Sequence, residues 1–206
     1  MTSSLRKAWR HSQGAALRRG DKALEPWAEA TRALDILRSF EPQAKEQAQT
    51  RARMQEFIAQ HPSDAHLRTL PIGHLTASAL VVDPVRNQAL LTHHRKLDRW
   101  LQLGGHADGD ANLVAVALRE ACEESGLDDL CILPRPIDLD VHLIPARAGE
   151  PAHLHWDTRF LIFAQPGSVE VASAESHQLA WVGPAQVHAL TREESVVRLF
   201  RAVFQE

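Results

Sequence analysis

The chain has 206 residues, 44% hydrophobic and 24% charged, which excludes a disordered or fibrous protein and allows one good core with a small helical addition. Its net charge of −3 gives no electrostatic reason for non-specific nucleic-acid binding. No apolar run approaches the ~20 residues that a bilayer span requires, so neither nucleic acid nor membrane is expected as a partner.

Near the start, Arg6, Lys7, Arg10, Arg18 and Arg19 form a basic cluster that reads as a solvated helix face rather than an anion site. From Glu25 to Gln60 the spacing predicts a helical hairpin. One stripe runs through Trp27, Ala30, Leu34 and Leu37, Pro42 breaks it, and a second runs through Ala44, Ala48, Met54, Phe57 and Ile58. His61-Pro62 closes the hairpin. The chain divides into an N-terminal helical extension, residues 1–70, and a second part, residues 71–206.

From His74 to Val82 the composition is that of a strand, with Asp83-Pro84 as its end and Gln88 to His94 as its hairpin partner. A short strand from Trp100 to Leu103 runs into Gly104-Gly105. A helix follows from Asn112, a suitable cap, to Ser125, with Gly126 as its stop. Longer strands are predicted from Pro136 to Pro145 and from His153 to Gln165, and a further one from Leu179 to Val182. Helices around Gln186 and from Arg192 to Phe204 finish the chain. The second part is therefore α+β, a mixed sheet with helices on its faces. Trp156 and Trp181 are expected in the core, as is Trp100, for which stacking on a base beside the box loop is the alternative. Cys122 and Cys131 are too few for a disulfide framework and lack metal-type spacing. With no secretory-type apolar stretch at the N-terminus, they predict a reducing, cytoplasmic setting.

The chemistry concentrates between Gly104 and Leu127. On a helix, Glu120, Glu123 and Glu124 fall at i, i+3 and i+4 and project from one face. Like charges stacked in this way repel, and a divalent cation turns that repulsion into coordination. The opposite face, Leu113, Val114, Val116, Ala117 and Ala121, can dock on a sheet. The glycine pair ahead of the helix lets backbone turn sharply or approach a phosphate.

Gly105, Arg119-Glu120, Glu123-Glu124 and Gly126-Leu127, at these spacings, resemble the Nudix box over residues 105–127. One position departs: the early box glutamate falls on Ala111, with Asp110 and Asp108 nearby as substitutes, and this bears on catalytic strength. The resemblance covers residue 71 to the C-terminus and implies the Nudix α/β/α sandwich. It implies a Mg2+-dependent hydrolase, with Mn2+ as an alternative cofactor, that cleaves a phosphoanhydride in a small nucleoside-diphosphate derivative. It further implies Glu120, Glu123 and Glu124 as metal ligands, Glu123 also as orienter of a water, and Arg119 as the residue that holds Glu120. Gly105 and His106 would lie at the substrate. The base varies in that family. Glu175 is the first candidate here and Asp157 the second. Many members are homodimers, so a second copy is among the implied partners.

Strand alternation adds a second group of candidates. It places Asp138, Asp140 and His142 on one face, and His153, His155, Asp157 and Arg159 on another. If the strands pair, His153, His155 and Arg159 could grip phosphates. A transition-metal site at His153 and His155 is the alternative, against which the neighbouring charge of Arg159 counts. Two rival functions remain. An isopentenyl-diphosphate isomerase needs a cysteine in the strand before the box, and Trp100-Leu101-Gln102-Leu103 has none. A non-catalytic nucleotide sensor is the other, for which Ala111 speaks.

Overall fold

In a computed structural model of the chain, Leu5, Trp9, residues 14–147 and residues 149–205 are described, so Arg6, Lys7 and Arg10 of the basic cluster lie outside the described residues. The elements in order are β1 (Leu17–Arg18), two 3-10 turns (Lys22–Leu24 and Ala30–Arg32), α1 (Ala33–Ser39), α2 (Lys45–Gln60), β2 (Gly73–Asp83), β3 (Gln88–His94), β4 (Arg99–Leu101) and β5 (Leu103–His106). Then come α3 (Leu113–Ser125), β6 (Leu130–Ile132), β7 (Asp138–Ile144), β8 (His153–Ala164), β9 (Ser176–Val182), α4 (Val187–Leu190) and α5 (Glu194–Phe204).

The strands form one mixed sheet in the order β1-β6-β8-β2-β3-β4, with β5 also on β2, β7 on β8 and β9 on β3. Its centre is the parallel pair of β2 and β8, in a register that sets His74 beside His155, Thr76 beside Asp157 and Leu80 beside Leu161. Alternation therefore sorts both strands identically. One face carries Leu75, Ala77, Ala79 and Val81, and the apolar side of α3 covers it. The other carries Leu80, Val82, Leu161 and Phe163, on which Val196, Leu199 and Phe200 of α5 pack. Helices on both faces make an α/β/α sandwich. Over the other half of the α5 face the same strands present His74, Thr76, Ser78, His153, His155 and Asp157, too polar to take a helix.

The extension shares the core rather than having its own. Ala33, Ile36, Leu37, Met54 and Ile58 belong to one apolar cluster with α3 and the sheet. Phe57 stacks on Trp156 at 4.3 Å between ring centroids. Trp181 is half-buried, and its Nε1 donates to Glu170. Trp100 is half-buried and stacks on His93.

The predicted elements shift where backbone had another use. The first helix of the hairpin begins at Ala33, not Glu25, because Pro26 holds Glu25 extended, at φ −62° and ψ 141°. The backbone from 23 to 27 is instead a strap against the box loop. Ala44 is extended and precedes α2. The strand expected from Trp100 divides at Gln102, because β4 pairs with β3 whereas β5 pairs with β2. The short strands β1 and β6 are too brief to show a period. No helix among the described residues is long and apolar enough to cross a membrane.

Candidate active site

Local sequence builds the acid face. The Asn112 side chain caps α3, and Gly126 ends it in the left-handed conformation at φ 67°. Between them Glu120, Glu123 and Glu124 share one face, as i, i+3 and i+4 require. The glycine pair brings that face against β2 and β5. A Cβ on Gly104 would lie 2.5 Å from Ser78 Cα, and one on Gly105 would lie 2.3 Å from Glu120 Oε2. Glu120 thus occupies the space that a side chain at 105 would take.

Burial dominates the electrostatics. Glu124, 5% exposed, has its carboxyl pushed up to about 8 by burial first and by Glu120 second, against the Gly104 N–H that donates to it at 3.4 Å. Glu120 is pushed up to about 7, burial outweighing the Arg119 guanidinium 3.0 Å away. Arg119 also donates to the His106 carbonyl, which ties the helix to the box loop, and lies 3.9 Å from the exposed Glu123. Arg119 reaches Glu120 and Glu123 but not Glu124, so ionising both Glu120 and Glu124 would leave negative charge uncompensated. This donor set fits a hard divalent cation at Glu120 and Glu124, with Glu123 at the rim.

The acid face opens into a cleft of about 440 Å3. Glu120, Glu123, Glu124, Arg119, Gly105, His106, His153, His155, Asp157 and Glu175 all line it, together with the cations Arg68, Lys96 and Arg147. Glu175 is exposed and close enough to Glu120 and Glu124 to push both carboxyls up. Asp157 is 3% exposed, and its two oxygens accept from Thr76, Ser78 and Arg159 at 3.0, 2.7 and 2.8 Å. It orders the cleft floor, with Oδ2 taken twice and Oδ1 once by these neighbours.

Arg159 corrects the sequence reading. It shares its face with His155 and Asp157, yet it is 1% exposed and does not line the cleft. Its guanidinium donates to Asp157, Asp138, Asp140 and the Ser195 carbonyl, and Arg198 closes Asp138 and Asp140 from α5. It is a buried cation beneath α5, whose Nε, Nη1 and Nη2 are all engaged by these partners and turned away from the cleft.

Ala111 is fully buried, and its N–H donates to the Trp27 carbonyl at 2.8 Å. Asp110 Oδ1 accepts from the Trp27 and Asn112 N–H groups, and Asn112 Nδ2 donates to the Ala23 and Glu25 carbonyls. Where the box has its early glutamate, this chain has a docking position for the strap. Asp110 is committed there, and Asp108 faces Arg68 at 3.8 Å.

The histidines converge more than alternation alone predicts. His74, which sequence reasoning missed, pairs directly with His155 across the parallel strands. Its ring lies 4.9 Å from that of His155, 5.0 Å from His153 and 5.1 Å from His106. Burial holds His155 down to about 2 and His74 down to about 4, with the neighbouring histidines adding to both. The available signal was the alternation of His74, Thr76 and Ser78 with Leu75, Ala77 and Ala79.

The chain is thus an α/β/α sandwich whose helix α3 presents three glutamates to a cleft that also holds Arg68, Lys96, Arg119 and Arg147. The NUDIX domain model matches residues 73–202, and the chain belongs to the Nudix family. Among solved structures, an Ap4A hydrolase from C. elegans in a binary complex is similar at 16% identity, with 62% of this chain and 93% of that chain covered and a TM-score of 0.52. A Nudix hydrolase from M. smegmatis, RenU, is 23% identical over 63% of this chain and 83% of that one, with a TM-score of 0.47. A dihydroneopterin triphosphate pyrophosphohydrolase from E. coli is 17% identical over 62% and 92%, with a TM-score of 0.49. No curated protein matches the chain in sequence.

Proposed function

We propose that this protein is a Mg2+-dependent hydrolase, with Mn2+ as a substitute, that cleaves a phosphoanhydride bond in a nucleoside-diphosphate-linked small molecule. The observation that carries this reading is the meeting of Glu120, Glu123 and Glu124 with Arg68, Lys96, Arg119 and Arg147 in one cleft. Glu120 and Glu124 would hold the cation, which supplies neutralisation of phosphoryl charge when bound. Arg119 holds Glu120 in position through a charge-assisted contact. The other cations draw the diphosphate in, and His106, His153 and His155 flank it.

Glu175 is our assignment for the base, as an exposed carboxylate beside the acid face. It takes the proton of the attacking water as the water oxygen bonds to phosphorus. The bridging P–O bond breaks, and its electron pair leaves with the second phosphate. The two free cysteines fit a reducing, cytoplasmic setting.

The test is a release assay on a panel of nucleoside-diphosphate-linked compounds with Mg2+ or Mn2+, beginning with Ap4A. The expected result is cleavage of at least one compound, lowered by two to four decades in Glu124→Gln, equivalent to ~3–5 kcal/mol of transition-state stabilisation. Tight binding of a panel member without turnover would sink the hydrolase reading and favour a nucleotide sensor, with Ala111 marking the altered box.

A further inference from the structure

We propose that His74, His153 and His155 form a second metal site in the cleft, a three-imidazole site for a transition-metal dication of the zinc class, separate from the glutamate face. One ligand nitrogen from each of the three lies within 4.8 Å of the others. The closest pair, His153 Nε2 and His155 Nε2, is 3.3 Å apart. Two imidazole nitrogens on one tetrahedral zinc, each at ~2.0–2.1 Å, are separated by roughly 3.3–3.4 Å. Small rotations of the rings close the remaining distances.

Tautomers and satisfaction point the same way. His153 Nδ1 faces the Pro151 carbonyl at 2.9 Å, and a carbonyl only accepts, so the proton sits on Nδ1 and Nε2 presents a lone pair. An N–H from His155 could meet that lone pair, but His74 would remain unexplained. It is 2% exposed, and neither of its ring nitrogens has a hydrogen-bond partner. A buried imidazole lone pair left unpaired is costly, and an ion held by that lone pair removes the cost at one of the two nitrogens.

The charge of Arg159, the objection from sequence, is answered by Asp138, Asp140 and Asp157, which surround its guanidinium. Three nitrogen donors select zinc-class ions over Mg2+, which prefers oxygen. His153 and His155 line the cleft and His74 lies behind them, so the fourth position opens toward the substrate space. There a phosphate oxygen, a water or Glu150, whose carboxylate is 3.9 Å from His153 Nε2, completes the set.

The experiment is a Co2+ titration of the metal-stripped full chain in a large excess of Mg2+, read by the visible d–d absorption of four-coordinate cobalt. It measures binding, so its outcome is independent of whether the chain hydrolyses anything. One equivalent of Co2+ should give the four-coordinate spectrum, resist Mg2+ and be displaced by one equivalent of Zn2+. The Glu120→Gln/Glu124→Gln double variant should keep that spectrum, and His155→Asn should lose it. Displacement by Mg2+, a six-coordinate spectrum, or loss of the signal in the glutamate variant would overturn the proposal. If His155→Asn fails to fold, the Mg2+ competition and the glutamate variant decide.

Discussion

Arg159 has four partners and is almost fully buried, and that makes its replacement informative. Removing it leaves two almost fully buried carboxylates short of a cation: Asp157 keeps only the Thr76 and Ser78 hydroxyls, and Asp138 keeps Arg198, which it shares with Asp140. Breaking a buried ion pair from one side typically costs ~3–5 kcal/mol, because the other charge remains unpaired. Arg159→Leu should lower unfolding stability by about that amount in a urea melt. A phosphate ligand would behave differently, raising KM with stability hardly changed. Gly105 is the opposite kind of residue. A methyl group at 105 meets the far end of the Glu120 side chain, which can swing away, rather than backbone. Gly105→Ala should therefore melt within a few degrees of the parent and lose divalent-cation affinity at the acid face by at least about tenfold, ~1.4 kcal/mol, in a calorimetric titration. An unchanged affinity would mean that Glu120 does not need that space.

Elements are joined by contacts between residues far apart in sequence, and the strap is the plainest example. Asn112 caps α3, and its amide holds the Ala23 and Glu25 carbonyls, so one side chain ties the strap to the box helix. Asn112→Ala should cost about 2 kcal/mol, a cap plus hydrogen bonds left open, and should speed hydrogen exchange at the Trp27 and Ala111 amides. Unaltered exchange there would show that the strap is held elsewhere. This division by distance also explains what the sequence could reveal. The box helix, its caps and the glutamate spacing are local, and the periods display them from Asn112 to Gly126. That Asn112 also anchors a strap, that Arg159 disappears under α5, and that His74 meets His155 depend on contacts across 36 residues in the Arg159 case and 89 in the Asn112 case. Alternation assigns His155 and Arg159 to one face. It is silent on which half of that face α5 covers.

At the scale of the whole molecule, burying acids and imidazoles in one cleft makes stability depend on pH in both directions. His74 and His155 have folded values depressed below 6.5, so their contribution is present above that value and is lost as pH falls toward about 4. Glu120 and Glu124 are the reverse. Their folded values are raised above 4.5, so their contribution is complete below 4.5 and is lost as pH rises through about 7 and about 8. Above pH 6.5 the histidine effect has levelled off, and the glutamates alone set the slope. The metal-free protein should therefore lose Tm steadily between pH 6.5 and about 8.5. A cation bound to the ionised carboxylates favours the folded state by mass action. Saturating Mg2+ should raise Tm more at the upper end of this window than at the lower, and Glu124→Gln should flatten the metal-free slope. Scanning calorimetry of chelator-treated protein across the window decides the matter. A metal-free Tm that rises toward pH 8.5 would mean that the two glutamates are already compensated within the fold.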